Sequence, residues 1–473
     1  MNVNNLIIDS YNKYSNKNFI YEKTNNKYKP ITYNKFITKL THVAKKLIDL
    51  NLSNKNILIY SKNSINYMIT DLAIISYVVT TININEQTKI EELNPIIKEL
   101  NVDAVLYDST KEETINMIKN KHSKVQFICI EDLVSSIKNR KPTFNLPSKD
   151  HNVCSKVVFS SGTTSNPKGA MLSLKNILAG YEPLQKRANL NEKDIIYLFL
   201  PLHHTYANIY NFIYGFISGL EIYLSSGVQN LALELQEIKP TIFCAVPLVY
   251  KKFYAASGDK LKYAFGPNIR RLFCGGAKFE SEIRAAYKES GLPLCEAYAL
   301  TETASSFSIE YLNNDDYESV GTIFENLDVK IINEKDGIGE IVAKGDAVFL
   351  GYINNEKLTK EAFTEDGYFI TGDIGYIKNN KLYLTGRKET ILVGDNGENI
   401  FPKEIENKLK ELSNNILKVK SKLIDNKLTC DIYVSDTNLD TSSIIDTYNK
   451  QVTKKDIIKE YIIHDKNELS FKE

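Results

Sequence analysis

The chain has 473 residues, 43% hydrophobic and 25% charged, more than one compact core serves, so two or three domains are expected. Lys+Arg 59 against Asp+Glu 58 leaves a formal net charge of +1, which excludes the basic footprint of a nucleic-acid binder. Six scattered cysteines (Cys129, Cys154, Cys244, Cys274, Cys295, Cys430) with no Cys-x-x-Cys pair exclude a zinc ribbon and point to free thiols in a reducing compartment.

Met1-Asn2-Val3-Asn4-Asn5 lacks the basic and apolar regions of a secretory signal. The longest apolar runs, such as 72–82, are too short to span a bilayer. A cytoplasmic protein with no transmembrane segment is expected. Residues 33–50 carry apolar side chains at helical spacing, and 56–60 reads as a buried strand. A helix over 64–78, a strand over 79–84, a helix over 90–100 and a strand over 104–107 continue the rhythm. Such alternation argues for a mainly parallel sheet covered by helices.

The β-prone stretch Lys156-Val157-Val158 then leads into Phe159-Ser160-Ser161-Gly162-Thr163-Thr164-Ser165-Asn166-Pro167-Lys168-Gly169. Small, hydroxylated and flexible residues cannot pack a core. They can expose backbone N–H groups and hydroxyls around an anion, with Lys168 adding a charge, which is the composition of a phosphate cradle. The run lacks the Gly-x-x-x-x-Gly-Lys-Ser/Thr spacing of a Walker loop, and a bare Ser/Gly/Thr run is more often a flexible surface loop.

Ser173 can cap the next helix, and strands near 195–200, 221–224, 241–245 and 271–274 alternate with helices. Leu200-Pro201-Leu202-His203-His204-Thr205-Tyr206 ends an apolar strand with paired histidines, an arrangement that serves structure more often than catalysis. Segments 208–217 and 239–250 are aromatic and aliphatic, suited to core or to lining an alkyl ligand, worth about 0.8 kcal/mol per buried methylene. Phe273-Cys274-Gly275-Gly276-Ala277-Lys278 runs a strand into a Gly-Gly turn, which admits a flat ligand close to backbone or simply turns tightly. From about 320 to 385 the texture changes to short strands (329–332, 339–344, 375–377, 381–384) and Gly-rich turns, indicating a small antiparallel barrel or sheet. A last segment begins near Lys388, with Pro402 opening a helix over 403–412.

The string 159–169 resembles the phosphate loop of the adenylate-forming (AMP-binding) superfamily: acyl- and aryl-CoA synthetases, luciferases and peptide-synthetase adenylation domains. Ser165 stands where that family usually has a third glycine. The likeness runs in family order from about residue 20 to 465. Glu296-Ala297-Tyr298-Ala299-Leu300-Thr301-Glu302 is similar to a Tyr-Gly-x-Thr-Glu string, with Ala299 in place of glycine. Segments 345–352, Gly367-Tyr368-Phe369-Ile370-Thr371-Gly372-Asp373, Gly386-Arg387-Lys388-Glu389 and 396–402 follow at matching spacing.

The resemblance implies an α/β fold. A large N-terminal AMP-binding domain (1–386) of two layered α/β subdomains plus a small β subdomain would be hinged to a small, mobile α+β C-terminal domain (387–473). It also implies roles. Lys168 with Ser160, Ser161, Gly162, Thr163 and Thr164 holds the phosphates of ATP, while Gly276, Ala277, Glu296, Ala297 and Tyr298 belong to the AMP side. Thr301 reaches the α-phosphate, Glu302 binds Mg2+, Asp373 and Arg387 hold the ribose, and His204 orients the acid. Glu389 is the hinge, and Gly397 lies beside the thiol tunnel.

The implied reaction is ATP-dependent activation of a carboxylic acid to acyl-AMP, then a thioester with CoA or, alternatively, loading of an acyl carrier protein. No Phe-Asp-x-Ser segment, whose aspartate holds an amino acid's α-amino group, occurs in 206–219. Segment 239–250 looks most like the long-chain fatty acyl branch, so a fatty or related apolar acid is expected. The family's terminal Thr-x-x-Gly-Lys string has no counterpart: after 460–465 the chain ends in Lys466-Asn467-Glu468-Leu469-Ser470-Phe471-Lys472-Glu473. Lys472 is the remaining candidate for the adenylation lysine. That departure keeps open an acyl-nucleotide-binding protein with weak or no adenylation.

Overall fold

The computed structural model describes residues 3–78, 80–137, 140–147, 149–160, 168–277, 279–312, 316–388, 392–393, 399–424, 427–452 and 454–468. The chain divides into two compact units. One comprises Met1–Val329, Ala343–Phe369 and Asn380–Leu382; the other comprises Lys330–Val342, Ile370–Asn379 and Tyr383–Glu473. Among the described residues no helix is long and apolar enough to cross a membrane.

The first unit is built on two sheets. In one, the strands lie in the order Gln126–Cys129, Ala104–Tyr107, Asn56–Tyr60, Thr80–Asn83, Cys154–Ser160 and Lys168–Ser173. All neighbours are parallel except the last pair. Ile57, Leu58 and Ile59 are wholly buried in succession, as a strand covered on both faces requires. Helices begin where side chains take up orphan amides: Thr32 accepts from the Lys35 N–H and Ser64 from the Tyr67 N–H. The helix expected over 64–78 is α-helical at Ile65–Ala73 and then widens to a π turn, Ile74–Val78.

The second sheet includes the run Leu294–Tyr298, Arg271–Cys274, Ile242–Ala245, Ile195–Leu198, Glu221–Leu224, Asn18–Thr24 and Lys27–Thr32, with Ser308–Ile309 antiparallel beside Leu294–Tyr298. The run is parallel up to Asn18–Thr24, with Lys27–Thr32 antiparallel at the edge. Its core gathers Tyr197, Phe243, Tyr250, Phe265 and Tyr287.

The second unit holds most of the strands Leu327–Lys335, Ile338–Gly345, Phe369–Lys378 and Lys381–Arg387, each beside the next, where short strands and turns were expected. Further on, Ile416–Ile424, Lys427–Val434 and Glu460–Asp465 form a three-stranded sheet. Helices Pro402–Leu412 and Thr441–Gln451 pack with it around Ile405, Leu409, Val419, Cys430, Ile432 and Tyr448. Pro402 opens its helix at the first turn, as its fixed φ and missing N–H favour. All six cysteines are free.

Candidate active site

Cys154–Ser160 and Lys168–Ser173 pair antiparallel with Ser160 opposite Lys168, so the two ends of the expected phosphate cradle are held side by side. Ser161, Gly162, Thr163 and Thr164 lie outside the described residues. The Lys168 ammonium stands 5.9 Å from the ring centroid of Tyr352. Tyr352 in turn donates its hydroxyl to Glu302 Oε1 at 2.8 Å. The Phe349 N–H also donates to the Glu302 carbonyl at 2.8 Å, which ties the acidic turn to segment 345–352. Burial, followed by the Glu302 charge, pushes the Tyr352 phenol well above its ordinary range, so it stays a neutral donor. Lys168 and Glu302, expected from the sequence, are thus brought together by Tyr352, the last residue of segment 345–352.

Thr301 opens a single 3-10 turn, Thr301–Thr303, closed by Ala304 in the left-handed region. Ser305, the next residue, donates to the Thr205 hydroxyl at 2.6 Å. That bond joins the Glu302 turn to the histidine segment. The His203 and His204 rings lie 4.1 Å apart. Burial first, and then His204, pull His203 down to about 4; burial also lowers His204. Both imidazoles are neutral near pH 7 and able to donate one N–H and accept once.

Arg271–Cys274 and Leu294–Tyr298 are parallel neighbours, so the Gly275-Gly276 turn and Tyr298 emerge at the same end, where ligands bind in open α/β sheets. A Cβ on Gly275 would lie 3.1 Å from the Ala297 carbonyl oxygen and 3.9 Å from Tyr206 Cε1. Gly275, Ala297 and Tyr206 therefore face one another, and glycine keeps that space open. Gly276 and Ala277 are exposed. Tyr298 meets Phe307 edge-on at 4.9 Å.

Glu296 is 3% exposed, and its carboxylate is engaged from within. Arg284 pairs with it at 2.6 Å, and the Phe279 N–H donates to Oε1 at 3.2 Å. Arg284 also pairs with buried Glu310, which accepts from the Glu296 N–H at 2.8 Å. The Glu–Arg–Glu cluster fastens the chain just after the Gly-Gly turn to the strand bearing Ala297 and Tyr298. Arg284 and Glu310 were missed because nothing near them in sequence marks them.

In the second unit, Asp373 lies on Phe369–Lys378 and Arg387 ends Lys381–Arg387; Arg387 Nε stands 3.0 Å from Asp373 Oδ1. Asp373 is almost buried while the Arg387 side chain is 53% exposed, so the pair presents its charge outward from a fixed base. Lys388 pairs with buried Glu340 at 2.8 Å. Glu389, Gly397 and Lys472 lie outside the described residues.

Residues 9–353 match the family model described as AMP-binding enzyme. The long-chain-fatty-acid–CoA ligase FadD15 of Mycobacterium bovis is 29% identical over 308 residues, which cover 54% of this chain and 50% of that protein. The 2-succinylbenzoate–CoA ligase of Enterococcus faecalis is 25% identical over 375 residues, covering 76% of this chain and 73% of that one. The chain thus spans half the length of the mycobacterial relative. Among solved structures, ATP-bound MatB from Rhodopseudomonas palustris shares the fold, with a TM-score of 0.86 at 21% identity over 98% of this chain and 95% of that one. The family match takes in the phosphate-loop strands, the histidine pair, the Gly-Gly turn and the Glu302 turn in a single stretch, and by it the chain belongs to the AMP-binding enzyme family.

Proposed function

We propose that this protein is an ATP-dependent acid–thiol ligase that activates a carboxylic acid, a fatty acid or a similarly apolar one, and passes the acyl group to CoA. The observation that carries the reading is Glu302, 8% exposed and oriented by Tyr352, beside Lys168 on the hairpin that frames the phosphate loop. The names of the FadD15 and succinylbenzoate ligases support CoA as acceptor and leave the acid broad.

In the first half-reaction an oxygen of the acid's carboxylate bonds to the α-phosphorus of ATP. The bond from that phosphorus to the bridging oxygen breaks, and pyrophosphate leaves with the electron pair. Positioning and charge stabilisation carry such a step. Lys168 offsets charge on the leaving phosphates, and the Thr301 hydroxyl donates to the α-phosphate. Neutral His204 holds the acid without trapping it as a tight ion pair.

Mg2+ accompanying a nucleotide takes most of its ligands from phosphate and water. A single carboxylate whose Oε1 alone is engaged by Tyr352 suits it, and among the described residues there is no group of three or more His, Cys, Asp or Glu placed to hold a metal ion. When bound, the ion supplies charge neutralisation between the phosphates; Glu302 would hold it. Asp373 accepts the ribose hydroxyls, with Arg387 adding charge. In the second half-reaction the thiol gives up its proton to solvent, its sulfur bonds to the acyl carbon, the acyl–phosphate C–O bond breaks and AMP leaves with the electron pair.

The test is pyrophosphate release from Mg-ATP across a panel of fatty and aryl acids, with and without CoA. Release that depends on one acid class, with thioester formed only when CoA is present, is the expected result. Acid-dependent release with acyl transfer to a carrier protein but not to CoA would overturn the acceptor. Binding of ATP and acid with no release would overturn the ligase reading in favour of an acyl-nucleotide-binding protein.

A further inference from the structure

The strand that leads into the phosphate loop carries a lysine that is wholly buried. Lys156 and Asp71 have side chains 0% exposed, with Lys156 Nζ 2.6 Å from Oδ1 and 2.8 Å from Oδ2 of Asp71. The ammonium also donates to Asn83 Oδ1 at 3.2 Å. Asp71 accepts in addition from Asn83 Nδ2 at 3.1 Å and from Asn208 Nδ2 at 2.9 Å. Asn208 donates as well to the Leu202 carbonyl at 3.1 Å, and the Tyr67 hydroxyl reaches the same carbonyl at 3.3 Å.

A buried ion pair is a poor device for stability, since desolvation offsets most of its attraction and apolar side chains of similar volume do as well. What charged hydrogen bonds add is direction. Here they join specific places. Lys156 lies on the strand whose far end sets Ser160 opposite Lys168. Leu202 and Asn208 flank the histidines, and the Asn208 N–H donates to the His204 carbonyl at 3.0 Å. The cluster thus spans from the phosphate side to the acid side of the reaction.

We propose that Lys156, Asp71 and Asn208 are positioning residues that fix the His203–His204 turn against the strand pair carrying Ser160 and Lys168, and so set the acid's carboxylate in line with the nucleotide. The inference rests on the ligase reading above. Apolar packing alone carries no such direction, so without these bonds the turn and the strand pair can shift relative to one another. Displacement of reacting groups by about 1 Å can cost on the order of 100-fold in rate.

Two variants test it: Asn208→Leu, which keeps volume and removes both bonds donated by the side chain, and the double variant Lys156→Met with Asp71→Leu, which removes both charges together. Melting temperature, pyrophosphate release, and the Kd values of Mg-ATP and of a non-hydrolysable acyl-adenylate analogue (an acylsulfamoyl adenosine) are measured for each. The expected result is a folded protein whose kcat falls at least about 30-fold while KM for ATP stays within about twofold, with the analogue bound correspondingly more weakly. A folded variant with wild-type kcat and analogue Kd overturns the proposal. So does a loss of rate matched by the loss of folded protein in both variants, for that is a structural role only. Absence of release from the wild type with every acid would defeat the ligase reading instead. The analogue Kd then decides the inference by itself: weakened in the variants with ATP Kd kept supports it, and unchanged overturns it.

Discussion

Tyr352 donates to one oxygen of Glu302, so the carboxylate is oriented before any ligand arrives. Replacing Glu302 by Gln removes the charge but keeps the shape and the Tyr352 contact. Pyrophosphate release is expected to fall about 100-fold, with little change in melting temperature. Tyr352→Phe leaves the charge and removes the orienting bond, for a smaller loss of about 5-fold, consistent with roughly 1 kcal/mol for one hydrogen bond. His203 gives a pH signature. Its folded pKa of about 4 lies below the ordinary 6.5 because burial and His204 disfavour the cation. The unfolded chain therefore takes up that proton first, so stability is full above about pH 6.5 and is lost as pH falls toward 4. Thermal melts of the wild type and His203→Gln at pH 7 and pH 5 check this: the drop between the two pH values is expected to be smaller in the variant.

At the scale of elements, packing at turns limits what the sequence can change. Gly180 joins helices Leu174–Ala179 and Tyr181–Ala188, and a Cβ there would fall 1.9 Å from Ser306 Oγ and 2.8 Å from the Tyr214 hydroxyl. Ser306 is wholly buried and has little room to yield. Gly180→Ala is expected to destabilise by about 1–3 kcal/mol, read as a lowered denaturant midpoint. Tyr206, Tyr210 and Tyr214 form a ladder along Tyr206–Ile213 and its continuation, with ring centroids 6.1 and 5.2 Å apart. If this ladder bounds the acid's tail, Tyr210→Ala shifts the preferred acid in the panel toward longer chains, and an unchanged profile refutes that role. The amphipathic helix over 33–50 and the strand over 104–107 were readable because their periodicity is local. The strand Asn18–Thr24 was not readable as part of the second sheet: it pairs with Glu221–Leu224, and nothing local marks a partner some 200 positions away.

At the scale of the molecule, two compact units carry different parts of the family's motif series. The first holds Lys168, His204, Thr301 and Glu302, and the second holds Asp373 and Arg387. Lys472 does not align with the family's terminal lysine, so Lys472→Ala is expected to leave pyrophosphate release nearly unchanged, and a loss on the order of 100-fold would identify it as the adenylation lysine. The order of motifs, the α/β alternation and the cysteines free of disulfides could all be read from sequence; that Asp373 pairs with Arg387 could not. Such signals depend on residue type and short spacing. Only the tertiary structure decided that Glu296 turns inward to Arg284, that Tyr352 orients Glu302, and that a lysine in a β-prone run is neutralised by Asp71 and tied to Asn208. Those outcomes depend on which groups share a dry interior, and the partners lie 85 and 137 positions apart in the chain. Burial makes such pairings obligatory, and burial is a property of the folded chain alone.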